Sequence, residues 1–267
     1  MERYTHEERQ LLEEKYAHIP CAAFEADRKR LAAGEPVAYV IGTQPFLGLS
    51  IHLNSRPLIP RPETEGWVED VLYDRFMVSV GQGAPTRMRI TSAPSETSSR
   101  PPRVLDLCAG SGAIGCAILK YVPDAEVWFA EIDPAHETTI QKNIRENGLD
   151  ASRAHIVIGD LFESLDERFD VILTNPPYIP EGRTLPESVT AYEPSTALFA
   201  GTDGLGIIAR IAASAAEHLR PSGELWLECD SVHAEEVGRL VALGGASHVD
   251  IRNDLYGRPR VVVGYYA

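Results

Sequence analysis

The stretch RVLDLCAGSGAIG, residues 103 to 115, decides the fold that the sequence predicts. An apolar run typical of a buried strand leads through a glycine turn into the helical pattern GAIGCAILKYV. Gly110 and Gly112 let the backbone turn tightly and approach a ligand closely, and the following helix offers free N–H groups at its N-terminus. This order is typical of nucleotide-binding α/β proteins, although many α/β proteins need such a turn for structural reasons alone.

The rest of the chain after this turn alternates between strand and helix patterns. The strand-like segments are EVWFAEI, HIVIG, FDVILTN and GELWLEC, and the helical ones are AHETTIQKNIREN, GLGIIARIAASAAEHL and VHAEEVGRLVAL. Such alternation predicts a parallel sheet covered by helices. Two final β segments, SHVDIRND and RPRVVVGYY, are separated by Leu255, Tyr256 and Gly257, so we expect them to pair antiparallel at the sheet edge.

The chain before residue 103 has a different organisation. Residues 5 to 33 show helical periodicity, and residues 37 to 58 show a short β-like pattern that predicts a hairpin. The segment IPRPETEGWVEDVLYDRF predicts a helix with Pro62 in its first turn. These patterns predict a small N-terminal region that precedes the α/β domain.

The predicted domain boundaries follow from these patterns. Residues 1 to 58 are expected to form a short helical region and a β-hairpin, and residues 59 to 267 the larger domain. Residues 79 to 103 are rich in Ser, Thr, Pro, Gly and Arg, which predicts a flexible insertion within that domain.

Composition limits the classes of function. The 267 residues are 44% hydrophobic, which is enough for a sizeable core. A net charge of −14 repels phosphate backbones, so no stable nucleic-acid binding is expected. No apolar run is long enough for a membrane span. The cysteines lack CxxC spacing and the histidines form no ligand pair on one helical face, so we expect no metal site.

Two further strand ends carry candidate ligand contacts. Glu131 ends a strand about 20 residues beyond the glycines, where a carboxylate can accept hydrogen bonds from both hydroxyls of a ribose. Asp160 follows the next strand beside Leu161 and Phe162, which suits an adenine ring, although Asp160 can also be interpreted as a helix N-cap. These loops suit either an adenine dinucleotide or S-adenosylmethionine (SAM), because the glycine spacing alone does not decide.

The motif TNPPYIP, residues 174 to 180, distinguishes the two cofactors. Pro176 and Pro177 fix their own φ angles and restrict the residues before them, so the loop is rigid. The Asn175 side-chain oxygen and the Pro176 carbonyl are acceptors that fit a planar NH2 group, and Tyr178 adds a flat ring. Holding both hydrogens favours the partly positive nitrogen that develops in methyl transfer, so the motif indicates SAM.

Together these motifs resemble the HemK/PrmC family, whose members use SAM to methylate N5 of the glutamine in the Gly-Gly-Gln loop of peptide-chain release factors. The resemblance covers about residues 36 to 267 and rests on NPPY, DLCAGSGAIG, IPRPETE (59 to 65), PVAYVIG (36 to 42), YEPSTALFAGTDGL (192 to 205) and DLYGRPRVVVGYY. It implies a Rossmann-like class I SAM-dependent methyltransferase fold, with a seven-stranded mixed sheet ending in an antiparallel hairpin. It also implies SAM as cofactor and a release factor as protein substrate.

The resemblance implies roles for individual residues. The implied cofactor contacts are Asp106, Cys108, Ala109, Gly110, Ser111, Gly112, Glu131, Ile132, Asp160, Leu161 and Asn175. The implied catalytic site for the glutamine is Asn175, Pro176, Pro177 and Tyr178. Substrate contacts are expected from Arg61, Glu63, Thr64 and Glu193, although Thr64 can also cap a helix. Two positions depart from the family: Cys108 stands where many members have glycine, and Leu161 where some have an aromatic residue.

Two other functions stay open at this point. An adenine-N6 nucleic-acid methyltransferase shares NPPY, but the net charge of −14 opposes it. A SAM-fold scaffold that binds a partner without chemistry is opposed by the intact Asn175 and Tyr178.

The insertion at 79 to 103 suggests a eukaryotic, mitochondrial member, so the expected location is the mitochondrial matrix, with the presequence absent from this chain, or the cytoplasm.

Overall fold

The structure is a computed structural model that describes residues 4 to 80 and 100 to 267. Most of the insertion predicted at 79 to 103 therefore lies outside the described residues. Within the described ranges, no helix is long and apolar enough to cross a membrane.

The N-terminal region is helical up to residue 41. Its helices are α1 (His6–Tyr16), α2 (Ala22–Ala32) and α3 (Val37–Ile41). They share a small core of their own, formed by Leu11, Phe24, Leu31 and Val40. The β-like interpretation of Val37 to Ile41 was wrong, because Pro36 sets the helix start, Gly42 ends it with a φ of 98°, and packing overrides the β propensity of these residues.

A hairpin and a long helix connect this region to the main sheet. They are β1 (Thr43–Phe46), β2 (Leu49–His52) and α4 (Pro62–Phe76). The hairpin confirms the predicted β pairing, although it is shorter than the 37 to 58 segment. Pro62 is in the first turn of α4, as predicted, where its missing N–H costs no helical hydrogen bond.

The main sheet follows the predicted alternation. Its strands are β3 (Arg103–Leu107), β4 (Glu126–Glu131), β5 (Ala154–Ile158), β6 (Phe169–Thr174), β7 (Leu219–Glu228), β8 (His248–Asn253) and β9 (Pro259–Tyr265). The seven strands lie in the order β5-β4-β3-β6-β7-β9-β8, and the pairings of β9 with β7 and β8 are antiparallel while the others are parallel. This confirms the predicted mixed sheet with its C-terminal hairpin.

Helices cover both faces of this sheet. They are α5 (Ala113–Tyr121), α6 (Glu137–Glu146), α8 (Gly206–His218) and α9 (Ala234–Leu243), while the short α7 (Glu187–Thr190) has no buried residue. Alternate residues of β3 enter different cores: Val104 packs with α4 and α5, and Leu105 packs with α8 and α9. Because chain order reverses between β3 and β6, a crevice opens at their carboxyl ends, where α/β proteins bind ligands.

The third glycine of the turn motif, Gly115, sets how closely α5 approaches the sheet. A Cβ atom at Gly115 would lie 2.3 Å from Cε1 of Phe129, a fully buried side chain. We therefore expect Gly115→Ala to lower the free energy of unfolding by about 1–3 kcal/mol through overpacking. Denaturant unfolding checks this against Gly182→Ala, where a Cβ meets no atom within 4 Å. Equal unfolding midpoints for the two variants would show that Phe129 yields freely.

Candidate active site

A cavity of about 340 Å³ lies at the carboxyl ends of β3, β4, β5 and β6. Residues from the predicted cofactor loops and from NPPY line it together. They include Leu107, Cys108, Ala109, Gly110, Ser111, Glu131, Ile132, Asp133, Asp160, Leu161, Asn175 and Pro177. The hairpin and the segment after it add Phe46, Leu58, Pro60 and Thr64. The structure thus brings most of the predicted cofactor residues into one site.

The loop after β3 has left-handed backbone at three positions. Cys108, Gly110 and Gly112 have φ angles of 62°, 54° and 75°. Glycine adopts this region without strain, whereas a residue with a Cβ is held there at a cost of about 1 kcal/mol. A glycine at position 108, which the resemblance implies for many members of the family, would adopt this conformation without that cost. The partly buried Cys108 thiol lines the cavity, and its removal from water raises its pKa to about 12.

Asp106 shapes this loop from behind the cavity wall. Its Oδ2 accepts a hydrogen bond from the Gly115 N–H at 2.8 Å, and the side chain is buried. Burial raises the pKa of Asp106 well above its ordinary value. Its contacts are those of a residue that ties the glycine turn to the start of α5, and its predicted cofactor contact stays a prediction.

Glu131, at the end of β4, stands at the centre of the cavity wall. Its Oε2 accepts from the Gly110 N–H at 2.7 Å, and its Oε1 accepts from the Asp133 N–H at 2.9 Å. Each carboxylate oxygen can accept a second hydrogen bond. The carboxylate therefore has acceptor capacity left for the two hydroxyls of a ribose while it holds both neighbouring loops.

The loop after β5 supplies a mixed polar and apolar wall. Asp160 accepts from Arg210 Nη2 at 2.9 Å. Residues 161 to 164 form a turn and not a helix, so the helix N-cap interpretation of Asp160 is wrong. Leu161 lines the cavity with a φ of 53°. Ile132, exposed over 60% of its surface, faces the same space from the end of β4. These apolar groups beside a carboxylate suit a purine ring.

The charges on the cavity wall distinguish between the two candidate cofactors, an adenine dinucleotide and SAM. Among the described residues that line the cavity, the acidic ones are Glu131, Asp133 and Asp160, and none is a lysine or an arginine. Three carboxylates repel the pyrophosphate of a dinucleotide and attract the positive sulfonium of SAM. The residues present therefore fit SAM.

The NPPY loop contributes to the cavity through two of its four residues. Asn175 and Pro177 line it, whereas Pro176 is buried and Tyr178 packs against the core beneath α8. The Tyr178 hydroxyl donates to Glu228 Oε1 at 3.1 Å, away from the cavity. The predicted contact between the Tyr178 ring and a substrate amide stays a prediction.

A buried carboxylate, Glu228, lies behind this loop at the end of β7. Besides Tyr178, it accepts hydrogen bonds on Oε2 from Thr64 Oγ1 and Trp67 Nε1, both at 2.7 Å. Thr64 in turn accepts from Asn175 Nδ2 at 3.1 Å. Thr64 is inside α4, whose N-cap is Arg61, so the interpretation of Thr64 as a cap is wrong. Thr64 links α4 to the NPPY loop.

Residues 59 to 61 and 192 to 199, which we call the rim, contribute Pro60, Thr196, Ala197 and Phe199 to the cavity wall. Glu193 is buried, and its carboxylate accepts from Arg61 Nη2 and from the Ile59 N–H. This ion pair ties the PRPETE segment to the YEP segment. Glu63 lies in the first turn of α4. Direct substrate contact by Arg61, Glu63, Thr64 and Glu193 stays a prediction.

Sequence reasoning missed several residues of the site. Phe46, Pro60, His136 and Phe199 line the cavity, and Glu228 organises the NPPY loop from behind. One available signal was the single acid near the end of the otherwise apolar run LWLEC, since an acidic residue in a buried strand needs several donors. The contribution of Phe46 could not be inferred, because the docking of the hairpin leaves no local pattern.

Comparison with known proteins gives two kinds of sequence match. The family model described as "Methyltransferase small domain" matches residues 90–191. The chain is 35% identical over 247 residues to the release factor glutamine methyltransferase of Bordetella pertussis, covering 91% of this chain and 83% of that protein. It is also 35% identical over 243 residues to the protein of the same name from Cereibacter sphaeroides, covering 90% and 78%.

Solved structures support the fold. The 16S rRNA methyltransferase RsmC of T. thermophilus, solved with AdoMet and guanosine, has a TM-score of 0.52 at 20% identity and covers 84% of this chain and 50% of that one. The hMettl16 catalytic domain, solved with an RNA hairpin, has a TM-score of 0.55 at 18% identity, with coverage of 83% and 76%. These likenesses confirm the class I methyltransferase fold.

Proposed function

Because the chain belongs to the release factor glutamine methyltransferase family, we propose that it methylates N5 of the glutamine in the Gly-Gly-Gln loop of a peptide-chain release factor, with SAM as methyl donor. The observation that carries this proposal is the orientation of the Asn175 amide. Thr64 has one hydroxyl hydrogen, which it gives to Glu228, so only its lone pairs face Asn175. The Asn175 NH2 therefore points to Thr64 and its oxygen is free to accept.

An accepting oxygen on the cavity wall suits an amide substrate. A glutamine side chain has a planar NH2 group, and the lone pair of its nitrogen is delocalised into the carbonyl. When Asn175 Oδ1 accepts one of the two hydrogens, it orients the nitrogen and favours the positive charge that develops during transfer. The rigid Pro176 and Pro177 keep this acceptor in place.

SAM, when bound, supplies an electrophilic methyl group: the C–S bond breaks as the N–C bond forms, S-adenosylhomocysteine leaves, and the methylated nitrogen loses one proton to solvent. Glu131 would hold its ribose, the loop from Cys108 to Gly112 would approach it closely, and Asp160 with Leu161 would contact its adenine. Phe46 and Leu58 line the same cavity from the hairpin side, and their apolar side chains would limit the access of water to the bound methyl donor. The chain's own contribution to the reaction is thus to bind, orient and exclude solvent.

We call the acceptor site at Asn175, Pro176, Pro177 and Tyr178 the cradle. Glutamine, asparagine and adenine all present an NH2 group, so selection among them must come from contacts outside the cradle. The cavity is bounded by the rim at 59 to 61 and 192 to 199, which the Arg61–Glu193 pair holds together. Neighbouring glycines in a substrate loop let its backbone pass such walls without a side-chain clash. This supports a Gly-Gly-Gln loop as the preferred substrate.

The test compares initial rates of methyl transfer to four substrates. They are an intact release factor, the same factor with its first loop glycine changed to valine, the factor with the loop glutamine changed to glutamate, and an adenine-containing oligonucleotide. We expect transfer to the intact factor, a strong loss with valine, and no transfer to the glutamate variant or the oligonucleotide.

Three outcomes contradict the proposal. Comparable rates on the intact factor, the valine variant and the oligonucleotide would show that the cradle alone selects. Transfer to the oligonucleotide only would favour the adenine-N6 alternative. SAM binding without transfer to any of the four would favour the non-catalytic scaffold.

A further inference from the structure

We propose that Glu228 is a positioning residue for methyl transfer, and that it acts through Thr64 to keep the oxygen of the Asn175 amide turned toward the substrate. This inference rests on the proposed function. Glu228 does not touch the cavity itself. It stands behind Thr64 and Tyr178 as the last residue of β7.

Glu228 is almost fully buried and therefore needs hydrogen-bond donors. Only 1% of its surface is exposed, and burial raises its pKa, while the side-chain donors Trp67, Thr64 and Tyr178 oppose that effect. A carboxylate without partners in such a place would be strongly destabilising. Three neutral donors, two from α4 and one from the NPPY loop, bind the carboxylate of Glu228. These hydrogen bonds offset the cost of its burial and fix its position.

The donors around Glu228 fix the direction of the hydrogen bonds that lead to Asn175. The Trp67 indole N–H can only donate, so Oε2 of Glu228 acts as an acceptor. Thr64 donates its hydroxyl hydrogen to this same oxygen and has only lone pairs left for Asn175. One fixed acceptor in the core thus dictates which end of the Asn175 amide points outward.

Without the Glu228 carboxylate as acceptor, the orientation of the Asn175 amide would no longer be fixed. If Thr64 could turn its hydrogen toward Asn175, the amide could rotate by half a turn and present its NH2 to the cavity. Two NH2 groups would then face each other, and neither can accept. The same carboxylate also holds Tyr178, three positions further along, so Glu228 fixes both ends of the NPPY loop.

The experiment uses matched substitutions of buried threonines. Thr64→Val removes the hydroxyl that relays the direction, and Thr64→Ser restores it. Thr174→Val removes a fully buried hydroxyl next to Asn175 that donates to the Leu107 carbonyl at 2.8 Å instead. Glu228→Leu removes the acceptor, whereas Glu228→Gln can keep an oxygen facing Trp67 and Thr64. The readouts are kcat and KM for a release factor, SAM affinity by calorimetry, and the thermal midpoint.

We expect Thr64→Val to lower kcat by about 10- to 100-fold, as typical for residues that orient a reacting group from behind. SAM affinity should stay within about threefold, because Thr64 acts on the acceptor side. Thr64→Ser and Glu228→Gln should regain most of the lost kcat, and Thr174→Val should lower the thermal midpoint without lowering kcat. A wild-type kcat in Thr64→Val would overturn the proposal, as would equal losses of kcat in Thr64→Val and Thr174→Val.

A second readout separates this proposal from the choice of substrate. The side-chain amide signal of Asn175 in a ¹⁵N correlation spectrum, assigned by its loss in Asn175→Asp, reports the hydrogen bond to Thr64 without any substrate. It should move in Thr64→Val and Glu228→Leu and stay in Thr174→Val. If the wild-type chain binds SAM but methylates no release factor, the proposed function fails and this spectrum still decides the relay. An unmoved signal in Thr64→Val would refute the relay.

Discussion

Replacing Asn175 by alanine is expected to lower kcat by about 100-fold, which is about 3 kcal/mol of transition-state stabilisation, if its oxygen carries the weight of an oxyanion-hole group. In the proposed reaction, the Asn175 side-chain oxygen is the acceptor that orients the substrate nitrogen and stabilises its developing charge. SAM affinity should change by less than about tenfold, because the larger part of the cofactor wall comes from the loops after β3, β4 and β5. Single-turnover kinetics and calorimetry measure the two quantities separately.

Asn147→Ala is the matched control for this prediction. The Asn147 side chain, at the C-cap of α6, donates to the Ser50 carbonyl of the hairpin at 3.0 Å and accepts from the Ser50 N–H at 2.9 Å. Loss of a similar side chain there should cost stability and not turnover. An Asn175→Ala enzyme that keeps more than about a tenth of the wild-type kcat would exclude a transition-state role of the expected size.

Glu131→Gln should weaken SAM binding by about 10- to 100-fold, or about 1.5–3 kcal/mol for charge-assisted hydrogen bonds. The change is small in volume, but it turns one acceptor oxygen into an NH2 group. That group would face either the Gly110 or the Asp133 backbone N–H, both of which donate to Glu131. The substitution therefore loosens the loops as well as the ribose contact. Calorimetric titration with SAM measures the effect.

Asp133→Asn distinguishes which carboxylate holds the ribose. Asp133 also lines the cavity, and its Oδ1 accepts from the Ala135 N–H at 2.8 Å. If Glu131 is the ribose ligand, Asp133→Asn should bind SAM within about threefold of wild type. Unchanged affinity in Glu131→Gln combined with a clear loss in Asp133→Asn would assign the ribose to Asp133 instead.

The architecture was predictable because its signals are local. The glycine turn, the alternation of apolar strands and amphipathic helices, and the final pair of β segments each depend on neighbouring residues. The wrong prediction of β structure for residues 37 to 41 arose from contacts that are distant in sequence. Val37 to Ile41 has β-branched residues but is helical, since contacts of Val40 with α1 and α2 decide its conformation. A preference that is local cannot anticipate such contacts.

The part of the cavity wall formed by the loops after β4 and β5 was more predictable than the part around Asn175 and α4. Glu131 and Asp160 stand at strand ends, where the topology alone brings them together. The partner of Thr64, in contrast, lies 164 positions away along the chain. The family resemblance assigned Thr64 to the substrate, with a helix cap as the alternative, and gave Glu228 no role. Only the packing of α4 against the end of β7 reveals that the two residues meet.

The most direct test of the central claim, that the cradle around Asn175 presents a glutamine side-chain amide for methylation, is to locate the methyl group on the product. An intact release factor is incubated with the wild-type chain and SAM, digested, and sequenced by tandem mass spectrometry. The predicted result is the mass of one added methyl group on the side-chain nitrogen of the Gly-Gly-Gln glutamine, and its absence with the Asn175→Ala variant. A methyl group on any other residue, or an unmodified glutamine after incubation with an enzyme shown to bind SAM, would contradict it.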